Sequence, residues 1–245
     1  MPDKEFDQTL VLIKPDALKN SLTGYVLSQL SEFHTGLRFA AVKVVHVTRM
    51  LAAEHYAEHI GKIFYDSLID YITGKLHYPG APDKQRVIAI IYQGPDAVKK
   101  LRDIAGPTNP HQARDAKPGC IRALGTVVPL KNAEGKVVGE RMDNLIHASA
   151  NAGDAEREIK LWFKPNDMPP AMQGYPTEES NGHFYYLDNR LFIAPVPGSD
   201  LIVAPGNIVW KSDLDALRSH YKGEKSSVTP ASVVAKYLVN RTLEG

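Results

Sequence analysis

Thr9-Leu10-Val11-Leu12-Ile13-Lys14-Pro15-Asp16 is the stretch from which the fold can be read. A short apolar, β-branched run reads as a buried strand, and it stops where Pro15 would remove a ladder donor. Val26, Leu27, Leu30 and Phe33 then recur at helical spacing, with Gly36 as the stop. The valine-rich stretch 38–48 predicts a second strand, and helices are expected over 51–59 and 64–73. Residues 75–85, with Pro79, Gly80 and Pro82, read as a loop before a third strand over 87–92. Pro95 suits the first turn of a helix running to about Ile104. Residues 106–119 hold Pro107, Pro110 and Pro118 and no regular period, so they read as a loop. Asn132-Ala133-Glu134-Gly135 separates two short runs and predicts a hairpin over roughly 126–140. Leu145-Ile146-His147 is a short strand, followed by an amphipathic helix over 154–163. This order predicts an α+β sandwich on the ferredoxin-like βαββαβ plan, one antiparallel sheet with helices on one face.

Composition narrows the function. The chain has 245 residues, 29 Lys plus Arg against 28 Asp plus Glu, and a net charge of +1. A general polyanion binder carries a basic excess, so no nucleic-acid partner is expected. Cys120 is the single cysteine, which excludes an intrachain disulfide framework and fits a reducing cytoplasm. Met1-Pro2-Asp3-Lys4-Glu5 lacks the apolar core of a signal peptide. The apolar stretch 191–210 is interrupted by Pro195, Pro197, Pro205 and Asp200, so no membrane span is expected.

No glycine-rich phosphate loop and no dinucleotide fingerprint occur, so phosphates would have to be held by side chains. Lys14, Arg102, Thr108 and Arg122 are candidates, although each alone reads as an ordinary solvated residue. His147 ends an apolar strand, precedes the small residues Ala148, Ser149 and Ala150, and has Glu158 on the next helix. A nucleophilic imidazole needs one nitrogen free and the other N–H oriented by an acceptor, a role a nearby carboxylate can fill.

Five segments together resemble the nucleoside diphosphate kinases. They are the Thr9–Asp16 strand; Glu54-His55-Tyr56 with Phe64-Tyr65; Thr108-Asn109-Pro110 with Lys117-Pro118-Gly119-Cys120-Ile121-Arg122; Asn144-Leu145-Ile146-His147-Ala148-Ser149; and Glu156-Arg157-Glu158-Ile159-Lys160-Leu161-Trp162-Phe163. The resemblance implies a ping-pong phosphotransferase in which His147 is phosphorylated by a nucleoside triphosphate such as ATP and passes the phosphate to a nucleoside diphosphate. It implies that Lys14, Arg102, Thr108 and Arg122 hold phosphates, that Tyr56 packs near the histidine, and that Glu158 and Ser149 support its imidazole. Asn144 with Lys14 would contact the sugar, while Phe64 would stack on the base beside Leu68. Mg²⁺ would arrive with the nucleotide phosphates, with no protein metal ligand, and a homo-oligomer is implied. The alternative is a catalytically weakened nucleotide-binding or scaffold module of the same fold.

The chain departs from the family pattern at several places. Ala148 and Ala150 stand where the family has glycine and an acidic residue, and Ala123-Leu124-Gly125 replaces Gly-Asp-Phe. Residues 75–85, 111–114 and the 126–140 hairpin read as insertions; Arg114 is expected to be a solvated loop residue. The kinase-like domain is assigned to residues 1–168. Residues 169–245 form a Pro-rich extension, expected to pack on the core or on a neighbouring subunit, with helices over 213–221, capped by Asp213 or Ser212, and over 230–243 after Thr229.

Overall fold

A computed structural model describes residues 7–240. The stretch Met1–Glu5 and the last residues of the helix expected to reach Leu243 lie outside it. Strand β1 (Gln8–Ile13) is buried at all six positions and lies inside a four-stranded sheet. The sheet is completed by β2 (Arg38–Val45), β3 (Val87–Gln93) and a short strand, Ile146–Ala148, in the order β2, β3, β1, Ile146–Ala148. Every neighbouring pair is antiparallel, which is the ferredoxin-like arrangement.

The unbroken apolar run of β1 has a direct cause. Leu10 and Leu12 enter one core and Val11 and Ile13 the other, so both sheet faces are covered. One face carries α1 (Pro15–Lys19), α2 (Thr23–Gln29) and, after the short helix α3 (Glu32–Thr35), the later helix Ala97–Ala105. The other carries α4 (Arg49–His55), α5 (Tyr65–Ile72) and the helix Ala152–Trp162. The expectation of helices on a single face is therefore corrected.

Local chemistry explains the other departures. Ser31 Oγ accepts from His34 N and starts a new turn, which shifts the phase of the helix and leaves Phe33 fully exposed. Thr48 caps the start of α4 by accepting from Leu51 N, so strand β2 ends ahead of it at Val45, and α4 runs only to His55. Gly94 and Asp96 both take positive φ before α6 (Ala97–Ala105), so Pro95 falls in the turn ahead of the helix. A Cβ on Gly94 would meet Leu37 Cδ2 at 2.8 Å, so that turn requires glycine.

The proline-rich loop contains a helix, α7 (Pro110–Ala116), with Asn109 Oδ1 accepting from His111 N and Pro110 at the first position. Arg114 is not simply solvated: its Nη1 donates to the carbonyls of Ala123 and Gly125 at 2.9 and 3.0 Å. The expected hairpin forms as β4 (Thr126–Lys131) and β5 (Val137–Asp143), a two-stranded sheet of its own, before β6 (Ile146–Ala148). Helix α8 (Ala152–Trp162) follows, capped by Asn151.

The remaining segment contains β7 (Thr177–Glu179), β8 (Phe184–Leu187), β9 (Arg190–Phe192), β10 (Asp200–Val203), β11 (Ile208–Trp210), α9 (Lys211–Tyr221) and α10 (Pro230–Val234). It has a small apolar cluster of its own, including Phe184, Val203, Leu214 and Val233. Trp210 and Ala235, however, enter the core beneath the four-stranded sheet, and Trp210 Nε1 donates to Phe163 O at 2.7 Å. Lys236, 1% exposed, pairs with buried Asp213 at 2.9 Å. Asp213 is thus an ion-pair partner and not a cap, and α9 starts at Lys211 after Trp210, which supplies no side-chain cap. Thr229 does cap α10, but the α-helix ends at Val234 and a 3₁₀ turn follows. Among the described residues, no helix is long and apolar enough to cross a membrane.

Candidate active site

The C-terminal end of β1 and the start of β6 are locked together by one carboxylate. Asp16, 1% exposed, accepts from Leu145 N at 3.0 Å, while Lys14 N donates to Leu145 O at 2.8 Å. Leu145 takes φ +70°, a costly conformation for a branched side chain, held by those two bonds. The turn delivers Asn144 and His147 to the same side of the sheet as Lys14. Lys14 Nζ donates to Asn144 Oδ1 at 2.8 Å, and Asn144 Nδ2 donates to Thr108 O at 2.8 Å.

A cavity of about 440 Å³ opens at this point. Lys14, Arg102, Thr108, Arg122 and Asn144 line it together with His147 and Glu158. Tyr56, Phe64 and Leu68 line it as well. Ser149 does not; it is fully buried behind Glu158. The cations are held by backbone carbonyls, Arg102 Nη1 on Ala148 O at 3.3 Å and Arg122 Nη1 on Gly106 O at 2.9 Å. Burial lowers Lys14 to about 8, with the Arg122 charge adding to the effect and Asp16 and Asp143 opposing it. Arg122 is lowered to about 10, first by burial and then by Arg102. A pocket that costs its own cations this much free energy is ready to receive an anion.

His147 Nε2 lies 2.8 Å from Glu158 Oε2. Ser149 Oγ donates to the same oxygen at 2.7 Å and itself accepts from Leu10 N at 3.1 Å. Burial alone would raise the Glu158 carboxyl, but the charge and hydrogen bond of His147, with the hydrogen bond of Ser149, hold it at about 2. An ionised Glu158 fixes the proton of His147 on Nε2 and leaves the Nδ1 lone pair free. The substitutions at Ala148 and Ala150 leave this arrangement intact, because Ser149 is oriented by β1 and Glu158.

Four participants escaped the sequence reading. His55 packs edge-on against His147, with ring centres 4.5 Å apart, and accepts from Trp162 Nε1 on Nδ1. Burial, then the neighbouring His147, pushes it well below the ordinary histidine range, so it is neutral. It lies inside the Glu54-His55-Tyr56 motif, which was the signal available. Arg157 bridges Glu54 O and Glu158 Oε1 at 3.4 and 3.5 Å. Asp16 closes the Thr9–Asp16 segment, which names it without giving it a role, and Arg141, on β5, carries no local signature.

A profile of the nucleoside diphosphate kinases matches residues 7–168. The chain belongs to the nucleoside diphosphate kinase family. The enzyme of that name from Thermococcus kodakarensis is 38% identical over 168 residues, covering 69% of this chain and 83% of its own. The Mycobacterium marinum enzyme is 40% identical over 157 residues, 64% of this chain and 96% of its own. Among solved structures, the Aquifex aeolicus nucleoside diphosphate kinase superposes with a TM-score of 0.52 at 27% identity, over 67% of this chain and 99% of that one. The Halobacterium salinarum enzyme in complex with CDP gives 0.51 at 30% identity, over 70% and 99%. A Borrelia burgdorferi nucleoside-diphosphate kinase with vanadate and ADP, a transition-state mimic, gives 0.51 at 29% over 67% and 90%.

Proposed function

We propose that this family member transfers the γ-phosphate of a nucleoside triphosphate to a nucleoside diphosphate through a phosphohistidine at His147. The observation that carries the reading is the held Nε2 and free Nδ1 of His147 in a cavity shared with Lys14, Arg102 and Arg122. The Nδ1 lone pair forms a bond to the γ-phosphorus, the bond to the bridging oxygen breaks, and the diphosphate leaves with its electron pair. Lys14, Arg102 and Arg122 stabilise the charge on the non-bridging oxygens, and Thr108 orients them. Ionised Glu158 offsets the imidazolium character that His147 acquires. A second diphosphate then reverses the step.

Phe64 and Leu68 receive the base, Asn144 with Lys14 receives the sugar, and Tyr56 shields the histidine. Mg²⁺ would come with the nucleotide phosphates and would supply partial neutralisation of their charge. Among the described residues, the one group of three His, Cys, Asp or Glu side chains close enough to share an ion is His55, His147 and Glu158. Two imidazoles suit a softer ion than Mg²⁺, so this group does not fit it and no protein ligand is assigned. Residues 169–245 are read as an extension of a domain that spans 1–168, packed on that domain through Trp210. Val42 and Val44, 55% and 52% exposed on edge strand β2, support a homo-oligomer, which light scattering would measure.

Incubation with γ-labelled ATP tests the reaction. Label should enter the protein, be chased by GDP, and be absent from His147→Ala. Nucleotide binding without labelling would leave the binding-module reading.

A further inference from the structure

Two segments outside the βαββαβ framework meet at one carboxylate. His77, from the loop after α5, brings Nε2 to 3.1 Å from Asp143 Oδ2 at the end of β5. Asp143 also accepts from Arg141, Nε to Oδ1 at 2.6 Å and Nη2 to Oδ2 at 3.1 Å. A further donor, Arg141 Nη1, reaches Ser67 Oγ on α5 at 2.9 Å. The side chains of His77, Asp143 and Arg141 are only 13%, 10% and 12% exposed. Arg141 Cζ lies over the Tyr71 ring, 5.8 Å from its centre, and Arg141 lines the same cavity as Phe64 and Leu68.

This arginine is poorly placed to receive a phosphate. Its charge is already matched by a bidentate carboxylate, and three in-plane donors are spent. The Ser67 tether keeps it beside Leu68, in the part of the cavity that carries Phe64. What it can offer is a flat, weakly hydrated face that has already lost its rotamer freedom. Nucleobases are flat π-systems that stack on guanidinium planes.

On the nucleotide reading given above for this cavity, we propose that Arg141 is a base-binding residue whose guanidinium face packs on the nucleobase, held there by Asp143 and His77 as positioning residues. The loop and the hairpin are then parts of one device that adds affinity for the base without reading its hydrogen-bonding edge. Discrimination follows stacking area, so purines gain more than pyrimidines.

Calorimetric titration of the full chain with ADP and with ribose 5-diphosphate, which lacks a base, tests this without requiring turnover. Arg141→Met should weaken ADP binding about ten- to a hundredfold and change ribose 5-diphosphate binding by less than about twofold. Arg141→Lys keeps the charge but not the plane and should behave like Arg141→Met. Asp143→Asn and His77→Phe should weaken ADP selectively and by smaller factors. Equal weakening of both ligands, or unchanged ADP binding in Arg141→Met, would overturn the proposal. If His147 took up no phosphate while ADP affinity still depended on Arg141 in this selective way, the reaction reading would fail and this inference would stand.

Discussion

Ser149 Oγ lies 2.7 Å from Glu158 Oε2, the same carboxylate oxygen that meets His147 Nε2 at 2.8 Å. Two donors therefore converge on one acceptor atom, and the imidazole is aimed by a residue that is itself anchored to β1. Glu158→Gln keeps the shape but loses the charge that supports imidazolium. It should lower kcat by about 10²- to 10³-fold with little change in KM, read by steady-state kinetics. Ser149→Ala removes only the second donor and should cost about tenfold or less.

Lys14 carries the pH dependence of nucleotide binding. Its pKa of about 8 means that the pocket loses a positive charge as pH rises through that value. ADP affinity should fall between pH 7.5 and 9.5, approaching tenfold per pH unit, where the nucleotide's own phosphates are already ionised. Lys14→Met should bind more weakly at pH 7 and lose most of that slope, as isothermal titration would reveal.

Acid stability follows from Glu158 and His55 together. Glu158 is depressed from 4.5 to about 2, so its contribution is present above about 4.5 and is lost as pH falls towards 2. His55 is lowered well below 6.5 and stays neutral in the fold, so the unfolded chain binds more protons once pH drops through about 6.5. Both effects have the same sign. The melting temperature should fall steadily from pH 7 to pH 4 and further below it, and Glu158→Gln should flatten the lower part of the curve.

Trp210 tests how the C-terminal segment is held. It is fully buried among core residues that include Trp162 and Phe163, and its indole N–H is bonded to Phe163 O. Trp210→Ala should cost about 3–5 kcal/mol in denaturant titration, and Trp210→Phe clearly less. An effect within about 0.5 kcal/mol would mean that the segment is only loosely attached.

Much of the frame was legible because it rests on local signals. The apolar run 9–13 ending at Pro15, the Asn132–Gly135 turn, and His147 with a carboxylate on the following helix can all be read from the sequence alone. Other features depend on geometry that no short window contains. Both faces of β1 are covered because helices from distant parts of the chain pack there, and the run alone does not say from where. Phe33 fits a helical stripe in sequence, but the Ser31 cap breaks its phase. The Asn109-Pro110 pair was a start signal for α7 that the prolines on either side obscured. Asp16, which holds Leu145, and the contact of His77 with Arg141 through Asp143 join residues far apart in the chain. The entry of Trp210 into the core is of the same kind.

The central claim is that Nδ1 of His147 is the nucleophile because Glu158 holds Nε2. Phosphorus NMR of the protein after reaction with ATP, combined with mapping of the modified peptide, tests it most directly, since the two phosphohistidine isomers give distinct signals. The predicted result is a single phosphohistidine, on Nδ1 of His147, discharged by added GDP. Phosphate on Nε2, on another residue, or on no residue would contradict it.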